Sequence, residues 1–178
     1  MPTWNKISET TVSGSSTTSI DLTSIPQTYT DLAVALVAKS DGDTSYAEVD
    51  CHIEFYNGST AFSLGGGFLG IDYSLAPNSQ QYARRTDVPD KITDSGASGT
   101  PNTGTGAYWL YIHDYSSTTL AKNAFIFTGK TTSVASNANH AGLKWWRICL
   151  NTSSNHAIDR IKFGALGNSD NFIAGSFV

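Results

Sequence analysis

Polar and apolar residues alternate most cleanly in "AEVDCHIEF" (47–55), where Ala47, Val49, Cys51, Ile53 and Phe55 fall on one side and Glu48, Asp50, His52 and Glu54 on the other. A period of two marks a strand with one face in the core and one in water. Asn57-Gly58 follows, a strong hairpin signal, so "STAFSL" is expected to return antiparallel beside it. "DLAVALVAKS" (31–40) behaves differently: Leu32, Val34 and Leu36 alternate with Ala33, Ala35 and Val37, and neither side is polar. Such a run predicts a central strand, covered on both faces inside a sandwich.

The entry into that run is set by Pro26, which fixes its own φ and pushes Ile25 out of the helical region, so the chain must arrive extended. Proline cannot donate to a ladder, which places it before the strand and leaves Tyr29 and Leu32 to begin the pairing. Further strands are expected in "WNKISET", "TSIDL", "GFLGIDY", "YWLYIHDY", "NAFIFTGK", "LKWWRICL" and "AIDRIKFGAL", each bounded by Gly, Asn, Ser or Thr. About ten short strands and no helix predict an all-β fold, an antiparallel β-sandwich of jelly-roll type, with a barrel as the nearest competitor. Residues 1–178 are read as one domain with a long loop or arm at about 74–106, where three of the five prolines, mixed charge and a Gly/Ser/Thr/Asn tail replace the alternation. A second exposed connection is expected over 131–142.

Charge narrows the partners. The formal net charge is −4, and the 11 Lys and Arg are scattered among 15 acids, so no basic stripe is available to neutralise a phosphate backbone. No nucleic-acid partner is expected, and no apolar run approaches the ~18 residues of a membrane span. Met1-Pro2-Thr3-Trp4 has no secretory pattern, and two cysteines, Cys51 and Cys149, are too few for a disulfide framework. Both are expected at inward-looking strand positions as free thiols.

Candidate chemistry is sparse. "GTPNTGTG" (99–106) has the glycine spacing of a phosphate loop, but Thr105 stands where its lysine is needed. Gly65-Gly66-Gly67 has no following helix to hold a pyrophosphate and reads as a bulge or bend. Asp41-Gly42-Asp43 lacks the ligand spacing of a calcium hand and reads as a solvated turn. His52, His113, His140 and His156 lack zincin spacing; His52 and His113 adjoin Glu54 and Asp114 as polar-face residues, a fold-assembled metal site being the lesser reading. Glu48, Asp50 and Glu54 are acids on a wet strand face, and no elbow nominates a serine nucleophile. The chain is therefore expected to be no enzyme, with no cofactor and no metal.

Aromatic residues point instead to binding or packing. Trp145 and Trp146 must face opposite ways in a strand, and Leu143, Ile148 and Leu150 around them describe a strand covered on both sides, by the core or by a neighbouring subunit. In the 74–106 stretch, Tyr82, Arg84 and Arg85 are candidate interface residues, because tyrosine and arginine are enriched in interface cores.

"SIPQTYTDLAVAL", preceded by "ISETTVSGSSTTSIDL", resembles a recurrent pattern in structural proteins of tailed bacteriophages, notably cyanophages and other aquatic phages, and "AIDRIKFGALGNSDNFIAGSFV" is similar to their ending. The resemblance covers roughly the first 40 and last 25 residues. It implies a non-enzymatic virion component with a sandwich or jelly-roll fold: a capsid decoration (cement) protein on the head, or a tail-fibre or receptor-binding component that recognises a host glycan. It further implies a virion location after assembly in the host cytoplasm. The implied partners are identical copies, as a symmetric oligomer such as a trimer, and the major capsid protein or other virion proteins.

Overall fold

The structure, a computed structural model, describes residues 4–14, 16–38, 50–61, 68–74, 80–85, 105–131, 142–150, 156–166, 171, 172, 175 and 178; of 50–52, 68–74, 80–85, 105, 128, 130, 131, 142–150, 165 and 166 the backbone alone is described. Ten strands are present: β1 (Ser19–Leu22), β2 (Leu32–Ala38), β3 (Asp50–Asn57), β4 (Thr60–Ala61), β5 (Phe68–Ser74), β6 (Gln80–Arg85), β7 (Thr105–His113), β8 (Lys122–Thr131), β9 (Gly142–Leu150) and β10 (Arg160–Leu166). They form two antiparallel sheets, one of four strands in the order β1-β10-β3-β4 and one of six in the order β2-β7-β8-β9-β5-β6. Among the described residues there is no helix, and so none long and apolar enough to cross a membrane.

Both sheets contribute to one buried cluster. Ile20, Ile53, Phe55, Ile161 and Phe163 come from the four-stranded sheet, and Leu36, Leu110, Ile112, Ala124 and Ile126 from the six-stranded one. The strand alternation read from the sequence survives here, with Ile53 and Phe55 buried and Glu54 between them half-exposed. The β3–β4 hairpin pairs Asn57 with Thr60, so its central residues are Gly58 and Ser59, one position later than the Asn-Gly signal implies. Gly58 has φ 58°, which a two-residue turn with glycine in its first central position requires. The Gly58 amide also donates to the Asp159 carboxylate at 2.8 and 3.0 Å, tying the turn to the approach to β10.

The chain passes from the edge of one sheet to the edge of the other between β1 and β2, over residues 23–31. Ser24 takes φ 57°, and after it Ile25 is buried, its amide donating to the Asp159 carbonyl at 2.9 Å. Gln27 Nε2 donates to the carbonyls of Ile25 (2.8 Å) and Ile158 (2.9 Å). Tyr115, fully buried, holds the same connection from the other side: its hydroxyl donates to the Pro26 carbonyl and its amide to that of Thr30 at 3.1 Å, while its own carbonyl accepts from Ile158 at 2.9 Å. Leu32 opens the β2 ladder as expected, but Tyr29 stays in the connection, where its carbonyl accepts from Ser116 Oγ at 2.7 Å.

Three expectations are corrected. Among the described residues β2 is the outermost strand of its sheet rather than a central one, laddered with β7 on one side. Its second face is not closed off, since Ala35 is exposed. "WNKISET" forms no strand; the segment ends where Thr10 and Val178 exchange two backbone hydrogen bonds of 2.8 Å. The stretch 74–106, expected as a loop, contains β6, paired with β5 at the far edge of the six-stranded sheet. Its other residues, 75–79 and 86–104, lie outside the described residues, as do 132–141 of the second expected connection.

Burial pushes the Tyr115 phenol up from its ordinary value of 10.0. A raised phenol stabilises the fold fully below about pH 10 and loses that contribution as pH rises through the raised value. Tyr115→Phe leaves the Pro26 carbonyl without its donor, at an expected cost of about 1–3 kcal/mol, or ~2–4 °C of melting temperature per kcal/mol. In thermal unfolding by circular dichroism the variant should melt lower at pH 7 and lose stability less steeply than wild type above pH 10; equal melting at pH 7 would show the clamp to be dispensable.

Candidate functional site

The two sheets finish their outer faces in opposite ways. On the four-stranded sheet the outward residues are charged and mutually paired. Arg160 donates through Nε and Nη2 to Asp21 at 2.9 and 2.8 Å and lies 4.6 Å from the ring centre of Tyr56. Lys162 pairs with Glu54 at 2.9 Å, and the Tyr56 hydroxyl donates to the same carboxylate at 2.9 Å. The register accounts for the second pair, because Lys162 stands across from Glu54; Asp21 also stands across from Lys162 and meets Arg160, two positions earlier on β10, on the diagonal. Opposite charges on neighbouring strands make a surface suited to water.

On the outer face of the six-stranded sheet the described side chains of β7 and β8 leave aromatic rings exposed. On β7 and β8, Tyr108, Leu110, Ile112, Ala124 and Ile126 point into the core, so the alternate residues Trp109, Phe125 and Phe127 point out, with relative exposures of 47%, 36% and 46%. One ladder row crosses the sheet through Ala35, Trp109, Phe127, Trp145, Ile71 and Tyr82. The next runs through Ala33, Tyr111, Phe125, Arg147, Leu69 and Arg84. The register thus separates Trp145, in the row of Phe127, from Trp146, which stands across from buried Ile126. Trp4 continues the aromatic surface past the sheet edge, its ring 6.3 Å from that of Tyr111 in an edge-on contact.

A cleft of about 540 Å³ opens beside this face along the outer edge of β2. Its floor is apolar, from Leu22, Ile25, Leu32, Val34 and Val178, and the segment Trp4–Glu9 forms its far wall. At one end stands Asp31, on which three groups converge. The Tyr111 hydroxyl donates to Oδ2 at 2.8 Å, the Asp114 amide to Oδ1 at 3.3 Å, and His113 Nδ1 lies 2.5 Å from Oδ1 while its Nε2 meets Asp114 at 3.1 Å. Asp114 reaches this position with φ 52°, in the left-handed region that aspartate tolerates. Both nitrogens of His113 are engaged by carboxylates, and the cluster works as a brace between the start of β2 and the end of β7.

The predicted site residues fall close to the apolar face. Tyr82 and Arg84 occupy the two ladder rows named above, at the β6 edge; Arg85 stands across from Phe68, one row beyond Arg84 and of the opposite parity. The side chains of all three lie outside the described residues, as do those of His52, Cys51 and Cys149, and also Asp41-Gly42-Asp43, Gly65-Gly66-Gly67, Glu48 and His140. The ladder sets position 149 across from Asn123, off the buried Ala124–Ile126 rows, so its register does not match the inward placement expected of Cys149. Among the described residues no group of three or more His, Cys, Asp or Glu could hold a metal ion.

Sequence reasoning did not assemble Asp31, Tyr111 and His113, since Asp31 and His113 are 82 positions apart. It did contain a signal for the outer face. "NAFIFTGK" is apolar on both parities, the same property that marked β2. Comparison with protein-family models, with curated proteins and with solved structures gives no match.

Partial burial raises the Asp31 carboxyl, but hydrogen bonds from Tyr111, the Asp114 amide and His113, together with the charge of His113, outweigh it and hold the group below its ordinary 3.8. A lowered carboxyl stabilises the fold above its unfolded-state value and loses that contribution as pH falls through the folded value. Asp31→Asn should therefore melt lower than wild type at pH 6, with the gap narrowing as pH falls below about 4. A gap constant from pH 6 to pH 2.5 would deny the brace its charge.

Proposed function

We propose that this chain is a non-enzymatic structural protein of a tailed-bacteriophage virion, foremost a capsid decoration or cement protein on the head surface. The observation that carries the reading is the inequality of the two outer faces: one is closed by ion pairs, the other leaves Trp109, Phe125 and Phe127 in solvent. Exposed apolar surface of this extent on a folded body marks an interaction site. The resemblance of both chain ends to phage structural proteins supports the same reading. The two sheets sharing one buried cluster are read as a β-sandwich of jelly-roll type, a rigid body suited to repeated association with identical neighbours in a symmetric oligomer, and with the capsid. Tyr82 and Arg84 extend the contact face at its β6 edge, with Arg85 beside them.

A second reading, a tail-fibre or receptor-binding component, is favoured by the half-exposed rings of Trp4, Tyr29 and Trp109, which are suited to stacking on a host surface glycan. Immunogold labelling of intact particles distinguishes the two. Label over the whole head is the expected result; label at the tail tip would favour the second reading, and particles without label would remove both. The double variant Trp109→Ser/Phe127→Ser should lose particle occupancy and self-association in sedimentation by at least about tenfold while its melting temperature changes by less than ~2 °C, because both side chains lie outside the core. Full occupancy of the variant would free the sheet face from any role in assembly.

A further inference from the structure

We propose that the cleft beside β2 is a binding site for an organic cation with an apolar tail, its ammonium head held between the Asp31 carboxylate and the Trp4 ring and its tail laid on the aliphatic floor. The volume, about 540 Å³, lies within the range of sites that take a small molecule, and an apolar lining with a few converging polar groups is the usual build of such a site. The floor provides for the tail. Ile25, Leu32, Val34 and Val178 are buried side chains that line the cleft, and Leu22 packs against the same cluster.

The head end is set by Tyr111. Its hydroxyl donates to Asp31 Oδ2 at 2.8 Å and its ring meets that of Trp4 edge-on at 6.3 Å, so one side chain brings the carboxylate and the indole to the same end of the cleft. Trp4 and Tyr29 both line the cleft and keep 64% and 39% of their surface in solvent. Exposed aromatic faces attract an organic cation through the ring quadrupole, tryptophan most strongly. Among the described residues Oδ2 of Asp31 accepts from Tyr111 alone, which leaves a lone pair directed at a further donor or a cationic head.

Charge decides between ligand classes. Lys6 and Glu9, the other charged residues that line the cleft, pair with each other, which leaves Asp31 as the unbalanced charge of the lining. Against the partial burial that raises it, hydrogen bonds from Tyr111, the Asp114 amide and His113 hold its carboxyl below the ordinary value, so it is ionised at neutral pH. His113 does not cancel this charge, because its ring is shared with Asp114: an imidazolium would face two carboxylates, and a neutral imidazole offsets neither. The Asp31 end therefore carries net negative charge in either protonation state of His113. An anion is repelled there, and the hydroxyls of a sugar would go unpaired on the aliphatic floor. A cation with an apolar tail matches both halves of the cleft.

The test is calorimetric titration of the full chain with octyltrimethylammonium and, as the matched anion, octanoate, both below the concentrations at which they form micelles. Saturable binding of one cation per chain is expected, with octanoate at least about tenfold weaker. Trp4→Ala should weaken the cation about threefold or more, and Asp31→Asn should remove most of the preference for cation over anion. Trp4 is exposed, so its variant keeps the core intact and decides the matter should Asp31→Asn fail to fold. Trp109→Ser/Phe127→Ser, altered only on the outer sheet face, should titrate as wild type. Absence of saturation up to ~10 mM, equal binding of the two ligands, or unaltered binding by Trp4→Ala would each overturn the proposal. So would loss of binding in Trp109→Ser/Phe127→Ser, which would move the amphiphile to the outer sheet face. None of these readouts depends on a virion, so the result stands apart from the location of the protein on a particle.

Discussion

The rest of the structure depends on how residues 23–31 are pinned while they cross from one sheet to the other. β1 and β2 are edge strands of different sheets, and a connection between edges has no ladder to hold it. Its backbone groups are met instead by Tyr115, by Gln27 and by the 158–159 segment that leads into β10. Because Tyr115 follows β7 and residues 158–159 precede β10, the clamp couples one strand of each sheet to the same short stretch. The sheets are thereby fixed relative to one another, and the shared cluster of Ile, Leu and Phe can close between them. Pro26 is suited to the position: it has no amide to satisfy, and its carbonyl is the acceptor that Tyr115 requires.

That anchoring has a consequence for the surface. β2 is held at its start by the clamp and the Asp31 brace and along one side by the β7 ladder. A floating apolar edge would collapse or slip in register, whereas a braced one keeps its cleft open. The outer sheet face is equally well supported, since each exposed ring on β7 and β8 alternates with a residue locked in the core. The exposed rings of β7 and β8 therefore sit on strands paired on both sides and not on loops, an arrangement that favours repeated, geometrically defined association.

The contrast between the outer faces also accounts for where the sequence misled. Runs apolar on both parities were read as central strands, because burial on two faces usually comes from a strand's own domain. In β2 the second parity is not closed in the way that inference requires: Ala35 is exposed and Ala33 and Val37 are half-buried. The same ambiguity hides in "NAFIFTGK", where Phe125 and Phe127 are outward and Ile126 inward. In the 74–106 stretch, mixed charge and prolines concealed a strand at 80–85, whose pairing with β5 owes nothing to local apolar alternation.

By itself the sequence determined the class of secondary structure and most strand positions, because a period of two and the turn residues between runs are local properties of the backbone. It determined that Ile53 and Phe55 of β3 face the core, for the same reason. Tertiary structure alone decided which strands are edges, that Asp31 meets His113 across 82 positions, and that Tyr115 closes on Pro26 across 89. Strand order and long-range clamps depend on which apolar faces find each other in space, and alternation along the chain says only that a face must be covered, not what covers it.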